Sequence, residues 1–376
     1  MSEFKVPLTK IKEILPHPNA DRLEIAVIYG FHVVIGKGNY KVGDIVIYIP
    51  VDSILPQNIE DILFPSDSKI KLSKHRVRQI RIRQYPSEGM IASLSLLNIA
   101  SSSLEADFAP ILGITKYEPP ERESKSTGAT KATSGSKQKN PAFKKYNGLN
   151  NIKWYPEYFK EGEKVIVQEK LHGSNCRAGF LKRNIDSFYP NTFSGKVCKF
   201  FLKLAIKFGY NLPYVFHYGS NNVDISSAKV YKGFFGEDIY AKALKSVNIQ
   251  DKLDPDVIVY GEIIGPGIQK NYDYGLKEVT FIAFDFIVNG TYLDPKDALK
   301  YAEDNDIPYI PYTAIDFNFD LVKQMATGPS DYDTNTKVKE GVVVKAANNY
   351  GEGGGKKALK VINPAYLDDQ SNTDFH

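Results

Sequence analysis

Short apolar runs divided by turn residues open the chain. Leu23-Glu-Ile-Ala-Val-Ile28, Phe31-His-Val-Val-Ile35 and Asp44-Ile-Val-Ile-Tyr-Ile-Pro50 follow one another at roughly ten-residue intervals, which predicts a small β-barrel or sandwich. That domain is expected over residues 1–116. From Glu118 to Lys145 the composition shifts to Ser, Thr, Gly, Lys and Pro, so a flexible basic linker is predicted over 117–148. A second domain is predicted over 149–376. Its strands are the apolar runs Val165-Ile-Val167, Val257-Ile-Val-Tyr260, Phe281-Ile-Ala-Phe-Asp-Phe286, Gly341-Val-Val-Val344 and Ala358-Leu-Lys-Val361. Between them, Val197, Phe200, Phe201, Leu204, Ala205 and Phe208 recur at helical spacing, with Lys199, Lys203 and Lys207 stepping by four on another face. Three readings of this basic amphipathic helix stand side by side. It docks on the core with its lysines solvated, which is the first choice, or it touches an RNA backbone, or it lies on a membrane surface.

Composition narrows the class. A hydrophobic share of 42% with 24% charged residues is that of a soluble globular protein, and 24 Tyr with 21 Phe give rings that serve a core or a base equally well. The net charge of +4 is too small to identify a nucleic-acid partner, so the placement of the cations matters. Cys176 and Cys198 have no paired spacing, which argues against a zinc site and for a reducing compartment. No stretch reaches membrane-spanning length and no signal or transit pattern opens the chain. A cytoplasmic or otherwise intracellular monomer without a membrane partner is expected.

The densest cationic stretch is Lys69-Ile-Lys-Leu-Ser-Lys-His-Arg-Val-Arg-Gln-Ile-Arg-Ile-Arg83. Read as one strand, it puts Arg76 and Arg78 on one face and Arg81 and Arg83 on the other, so a bulge or twist is needed to bring all four to one nucleic-acid surface. They are taken as phosphate contacts, which position a duplex without reading its sequence; a charge-protected edge strand is the plainer alternative. In the second domain, Lys170 sits at a strand end before the turn Gly173-Ser-Asn175. A lysine nucleophile attacks only as the neutral amine and needs neighbours that aim it. Gly351-Glu-Gly-Gly-Gly-Lys356 lacks Walker spacing and reads as a connection between strands.

Glu169-Lys-Leu-His-Gly-Ser-Asn175, His217-Tyr-Gly-Ser-Asn-Asn222, Tyr260-Gly-Glu-Ile-Ile-Gly265, Phe281–Phe286, Glu340-Gly-Val-Val-Val-Lys345 and Ala358–Val361 occur in an order that resembles the collinear motifs of the covalent nucleotidyltransferases. Histidine before the glycine resembles the nick-sealing branch of RNA ligases. His17-Pro-Asn-Ala-Asp-Arg-Leu23 with Lys41-Val-Gly-Asp-Ile-Val-Ile-Tyr-Ile-Pro50 resembles OB-fold domains of tRNA-binding proteins and of one branch of those ligases. The resemblance implies an α+β chain, an OB-like barrel followed by an ATP-grasp-like adenylyltransferase domain of antiparallel sheets plus helices. It implies an ATP-dependent RNA ligase that carries AMP covalently on Lys170, uses Mg2+ (or Mn2+), and seals nicks in duplex RNA or RNA/DNA. A GTP-dependent capping-type guanylyltransferase and a non-catalytic RNA-binding relative are the alternatives.

Carried over residue by residue, the resemblance makes Lys170 the nucleophile, with Leu171, His172 and Gly173 around the nucleotide. Glu169 lies by the adenine, Asn175 holds the reacting phosphate end, and Phe284 stacks on the base. Glu262 binds the ribose hydroxyls or holds the metal, Glu340 organises the metal, Lys345 is counted among the catalytic residues, and Lys360 meets the α-phosphate. Ser220 belongs to the second motif, where relatives carry an arginine at the position of Asn221; Arg177 or Arg183 is the expected replacement. Relatives have a lysine at the position of Ala358, a role for which Lys356 or Lys357 is available; Lys357 is included among the nucleotide contacts.

Overall fold

The computed structural model describes all residues except 1–3, 66–71, 98, 100–102, 118–135, 138–139, 156, 189–191, 227–235, 271, 333–337, 352–354 and 369–376. They form two compact units, one from Met1–Pro120, Leu149–Phe159 and Pro364–His376, the other from Glu121–Gly148 and Lys160–Asn363.

The first unit contains strands β1 (Leu8–Lys10), β2 (Glu13–Pro16), β3 (Leu23–Ile28), β4 (Phe31–Gly36), β5 (Ile45–Ile49), β6 (Ser53–Ile54), β7 (Ile80–Ile82), β8 (Tyr85–Ser87), β9 (Met90–Ser93) and β10 (Thr115–Lys116), with helices α1 (Gln57–Leu63) and α2 (Ala109–Leu112). Antiparallel β2-β3-β4 and β1-β5-β9 form its two three-stranded sheets. β5 is apolar on both faces because it belongs to two cores. Ile47 and Ile49 pack with Leu8, Leu55 and Phe108, and Val46 and Tyr48 with Phe31, Val33 and Trp154.

The second unit contains β11 (Ser136–Lys137), β12 (Lys164–Glu169), β13 (Ser174–Lys182), β14 (Tyr214–Gly219), β15 (Val223–Asp224), β16 (Val257–Ile264), β17 (Thr280–Val288), β18 (Thr291–Tyr292), β19 (Tyr312–Asp316), β20 (Gly341–Ala346) and β21 (Ala358–Ile362). Its helices are α3 (Ile185–Phe188), α4 (Phe193–Lys207), α5 (Ile239–Ser246), α6 (Ile249–Lys252), α7 (Pro295–Asp304) and α8 (Phe319–Met325); α9 (Pro364–Asp368) returns to the first unit. Two antiparallel sheets result, ordered β11-β15-β14-β13-β16-β17-β18 and β19-β12-β20-β21. On the larger sheet, alternation sends Cys176, Ala178, Val257, Val259, Ile263, Phe281, Ala283 and Phe286 to one face, where α5, α6 and α7 cover them. The other face is left for the polar positions of the same strands.

Two expectations change here. Residues 118–135, 138 and 139 of the expected linker lie outside the described residues, but Asn140, Phe143 and Tyr146 are buried in the second unit. Two rings at i and i+3 carry enough apolar surface to pack a segment that overall composition assigned to linker. The helix at Lys196–Phe208 exists as α4, yet only Gly195 of it is buried, and Phe193, Phe200, Phe201 and Phe208 are exposed. Among the described residues the phenylalanine face of α4 is not docked.

Candidate active site

The site grows from the end of β12. Val165, Ile166 and Val167 are buried between β19 and β20, and the Lys170 N–H extends the ladder by donating to the Gly341 carbonyl at 2.9 Å. Lys170 is therefore fixed at its backbone while its side chain stays about a quarter exposed, with Nζ 2.5 Å from Oε1 of the buried Glu340. Leu171 is an apolar anchor, 4% exposed. The His172 N–H donates to the Tyr274 hydroxyl at 2.7 Å, its ring stands edge-on to Tyr272, and Nδ1 lies 3.6 Å from Glu340 Oε2. Gly173 has a steric reason: a Cβ there would come within 2.3 Å of the Ile263 carbonyl and 2.7 Å of Glu262 Cγ. The turn thus packs directly on Glu262, which feels the charges of Lys170 and Glu340.

Glu262 is directly opposite Asn175 across β13 and β16, and opposed residues of an antiparallel pair share a face. Burial pushes the Glu262 carboxyl up to about 8, with Glu340 adding to the rise and Lys170 and the Gly173 backbone opposing it. Among the described residues the buried Asn175 Oδ1 has no hydrogen-bond partner. An oxygen acceptor without a donor, across from the Glu262 carboxyl, fits a hydrated cation or a hydroxyl-bearing ligand. Among the described residues no three His, Cys, Asp or Glu converge as a metal cage. Two carboxylates suit a magnesium that keeps most of its water.

Glu169, one residue from Lys170, points the other way. It shares a row with Val342 and accepts from Ser330 Oγ (2.7 Å) and from the N–H groups of Asp331 (2.6 Å) and Tyr332 (3.2 Å). Burial raises its pKa against those three donors. With Val167, Val342, Ile310, Met325 and Tyr332 it lines a cavity of about 130 Å³.

Phe284 owes its position to an irregularity. Gly261 pairs with Ala283 and Tyr260 with Asp285, so Phe284 is the extra residue of a bulge in β17. A Cβ on Gly261 would fall 2.3 Å from the Ile282 carbonyl and 2.4 Å from the Phe281 ring, so the bulge requires glycine opposite. The Phe284 carbonyl accepts from Lys345 Nζ at 2.7 Å and Tyr309 OH at 3.1 Å, and Tyr146 meets its ring edge-on at 5.0 Å.

Lys345 is a correction. Its ammonium is 2% exposed and lies 2.7 Å from Asp285 Oδ1, whose other oxygen accepts from Tyr146 (2.6 Å) and Tyr350 (2.8 Å). It is an internal ion pair below Phe284, with burial lowering its pKa against Asp285, rather than an open cation at Lys170. Lys360 is half-buried on β21 opposite Val343, in one row with Gln168 and on the face that carries Lys345. Ala358 lies directly across from Lys345, so a lysine at 358 would oppose two ammonium groups. Lys357 is also corrected. It pairs with Glu163, which precedes β12, so it sits at the strand end away from Lys170, about 20 Å along the strand. Lys356 instead lies over the Tyr146 ring and donates to the Asn147 carbonyl at 2.5 Å. Burial and Lys345 press it down to about 7, while Asp285 resists.

Sequence reasoning missed the segment Asn140–Gly148, which crosses the polar face of the larger sheet like a strap. Asn221, at the position where an arginine was expected, accepts from Tyr146 N–H at 2.7 Å and donates to the Tyr146 carbonyl at 2.9 Å. Tyr260 OH donates to the Lys144 carbonyl. The fully buried Arg177 donates to the carbonyls of Phe143 and Ser220 and stacks on the Phe143 ring. Among the described residues its Nη2 has no partner. The Ser220 hydroxyl accepts from Val223 N–H inside its own turn. The charge of Asp285 within an apolar strand was the available signal, because a buried carboxylate must be answered by donors.

In the first unit, Arg76 is buried. It donates to Asp52 Oδ1 through Nε (3.0 Å) and Nη2 (2.7 Å) and stacks on Tyr117. It is not on a shared strand with the others: Arg76 makes an isolated bridge with Ile54, Arg78 precedes β7, Arg81 lies on β7, and Arg83 follows it. Arg78, Arg81 and Arg83 are exposed. Arg83 and Gln84, both at positive φ, make the two-residue turn between β7 and β8. His17 supports that hairpin, its Nε2 lying 3.1 Å from the Ile82 carbonyl.

Comparison with known proteins adds the following. The RNA ligase family model matches residues 163–362, and an OB-fold domain model matches residues 5–94. Among solved structures, the chain is similar to Naegleria gruberi RNA ligase with PPi, at 23% identity and a TM-score of 0.72, covering 99% of this chain and 100% of that one. Variants of that ligase solved with ATP and Mn (21% identity, TM-score 0.73, covering 99% and 100%) and with AMP and Mn (22% identity, TM-score 0.71, covering 98% and 99%) are similar over the same extent. At these identities the likeness speaks for the fold. No curated protein matches the chain.

Proposed function

The chain belongs to the RNA ligase family, and from that membership we propose that it is an ATP-dependent RNA ligase working through lysyl-AMP on Lys170, with nicked duplex RNA or RNA/DNA as substrate. The observation that carries this reading is the strand-end Lys170 held 2.5 Å from the buried Glu340, with Glu262 packed under Gly173 and feeling both charges.

In this state Lys170 Nζ is in contact with Glu340 Oε1. Attack needs the free amine, so the proton passes to a base, and Glu340 Oε1 is in contact to receive it. Lys170 Nζ then bonds to the α-phosphorus of ATP as the bond to pyrophosphate breaks. Next, the 5′-phosphate of one RNA end takes the AMP from Lys170. Finally a 3′-hydroxyl attacks that phosphate, forming the phosphodiester and releasing AMP. Each step is an in-line displacement in which the protein mainly positions groups and neutralises charge. Glu262 and Glu340 are suited to hold Mg2+ or Mn2+, which would supply charge neutralisation on the phosphate oxygens. Lys360 faces the same region for that purpose, Asn175 orients the phosphate end, and Phe284 offers a face to the base. Arg78, Arg81 and Arg83 supply backbone contacts from the first unit.

Incubation with ATP or GTP labelled at the α-phosphate, in Mg2+, tests this against Lys170→Ala. Label from ATP alone, absent in the variant, is the expected result. Label from GTP favours capping chemistry, and no label from either leaves an RNA-binding relative.

A further inference from the structure

α4 lies on an excursion between β13 and β14, whose last pair is Lys182 with Tyr214. It stands about 23 Å along β13 from Asn175. Thr192 caps it, its Oγ1 accepting from Gly195 N–H at 3.2 Å. The inner face consists of buried Gly195 and half-buried Lys199, Leu202, Ala205 and Ile206. Lys199 donates to the Asp186 carbonyl at 3.0 Å, which ties the helix down.

The outer face is unusual for a protein surface. Phe193 (85% exposed), Val197, Phe200 (65%), Leu204 and Phe208 (82%) follow at i, i+4, i+7, i+11 and i+15, with Phe201 alongside. They form one apolar stripe roughly 100° wide, and the 15-residue helix carries it for about 22 Å. Lys196, Lys203 and Lys207 project along one edge of the stripe, Lys203 also reaching Asp186 Oδ1 at 3.3 Å, and α4 contains no acidic residue. A contiguous exposed apolar patch of this kind marks a contact surface.

We propose that α4 docks the protein on an anionic lipid surface, the phenylalanine stripe entering the interface and Lys196, Lys203 and Lys207 meeting the headgroups. Charge complementarity and the stripe together select this occupant. A bilayer interface offers apolar depth along the whole stripe beside negative charge, which is how basic amphipathic helices bind lipid. A single RNA strand matches less of it. Val197 and Leu204 have no π-face for a base, and they separate the Phe193, Phe200 and Phe208 rings by about 10 to 12 Å, too far for neighbouring stacked bases. A second copy would bring a helix equally devoid of acidic side chains.

Flotation of the full-length protein with vesicles of phosphatidylcholine, alone or with about a third phosphatidylserine, tests the proposal. Binding to the anionic vesicles should exceed binding to the neutral ones. Phe200→Asp with Phe208→Asp should lower it at least about tenfold without a change in melting temperature, since both rings are exposed. Lys196→Gln with Lys203→Gln and Lys207→Gln should remove the preference for anionic lipid. No flotation of the wild type, or equal flotation of the phenylalanine variant, overturns the idea. So does a phenylalanine variant whose only loss is in binding single-stranded RNA, or in self-association measured by sedimentation. AMP labelling of Lys170 should be unchanged in both variants. An unlabelled wild type that still floats would strike the ligase reading and leave this one standing.

Discussion

Replacing Lys345 by methionine separates two roles for a residue that sequence motifs place among the catalytic cations. The structure puts its ammonium 2.7 Å from Asp285, with both side chains 2% exposed. Deleting one partner of such a pair leaves a buried charge, at a cost of about 3–5 kcal/mol. The Tyr146 and Tyr350 hydroxyls remain as donors to Asp285, so the lower half of that range is expected. For a unit of this size, a loss of about 3 kcal/mol lowers the melting temperature by about 6–12 °C. Pairing Lys345→Met with Asp285→Asn removes the stranded charge while keeping an acceptor for both tyrosines, and most of the melting temperature should return. Thermal unfolding followed by circular dichroism, with AMP labelling of the same samples, reads the outcome. The structural role requires a destabilised single variant and a double variant that regains both stability and label. A single variant that melts like the wild type but takes no label would refute it, and Lys345 would then be acting on the nucleotide itself.

Glu262→Gln should leave folding intact, because it removes a carboxyl that burial disfavours; AMP labelling should fall by at least about a hundredfold if this group holds the metal that neutralises the phosphates. Gly173→Ala should cost about 1–3 kcal/mol and suppress labelling, since its Cβ would displace Glu262 or the Ile263 carbonyl; calorimetry and labelling check both. Asn221→Ala removes two hydrogen bonds to Tyr146, and should lower stability by about 1–3 kcal/mol and speed amide exchange at Tyr146. Lys356, held down to about 7, binds its proton more weakly folded than unfolded. Its penalty is therefore full below about 7 and fades toward its ordinary value near 10.5, so stability rises with pH across that window. Lys356→Met should flatten that rise, by up to about 1.4 kcal/mol per pH unit, in denaturant titrations at pH 7 to 10.

What was legible in the sequence follows from how each residue acts. β3 and β4 begin at the residues where their apolar runs begin, and Lys170, Glu262 and Glu340 converge as an ordered set of motifs suggests. Strand pairing and the bulge were not legible. Lys357 seemed equivalent to its neighbours until its position beside Glu163 sent it to the far end of β12. Arg76 seemed one of four matching arginines until Asp52 claimed it. The strap escaped because two buried rings in a hydrophilic stretch leave no periodic trace.

The strap also bears on how the molecule can be divided. Residues 149–159 belong to the first unit, yet Asn140–Gly148, which come before them, belong to the second. A fragment starting at residue 149, the natural cut by composition, would uncover Arg177, Tyr260 and Asp285 and strip Asn221 of its partner. Isolating the nucleotide-handling half thus calls for a cut upstream of Asn140, and fragments begun on either side of that residue should differ sharply in solubility.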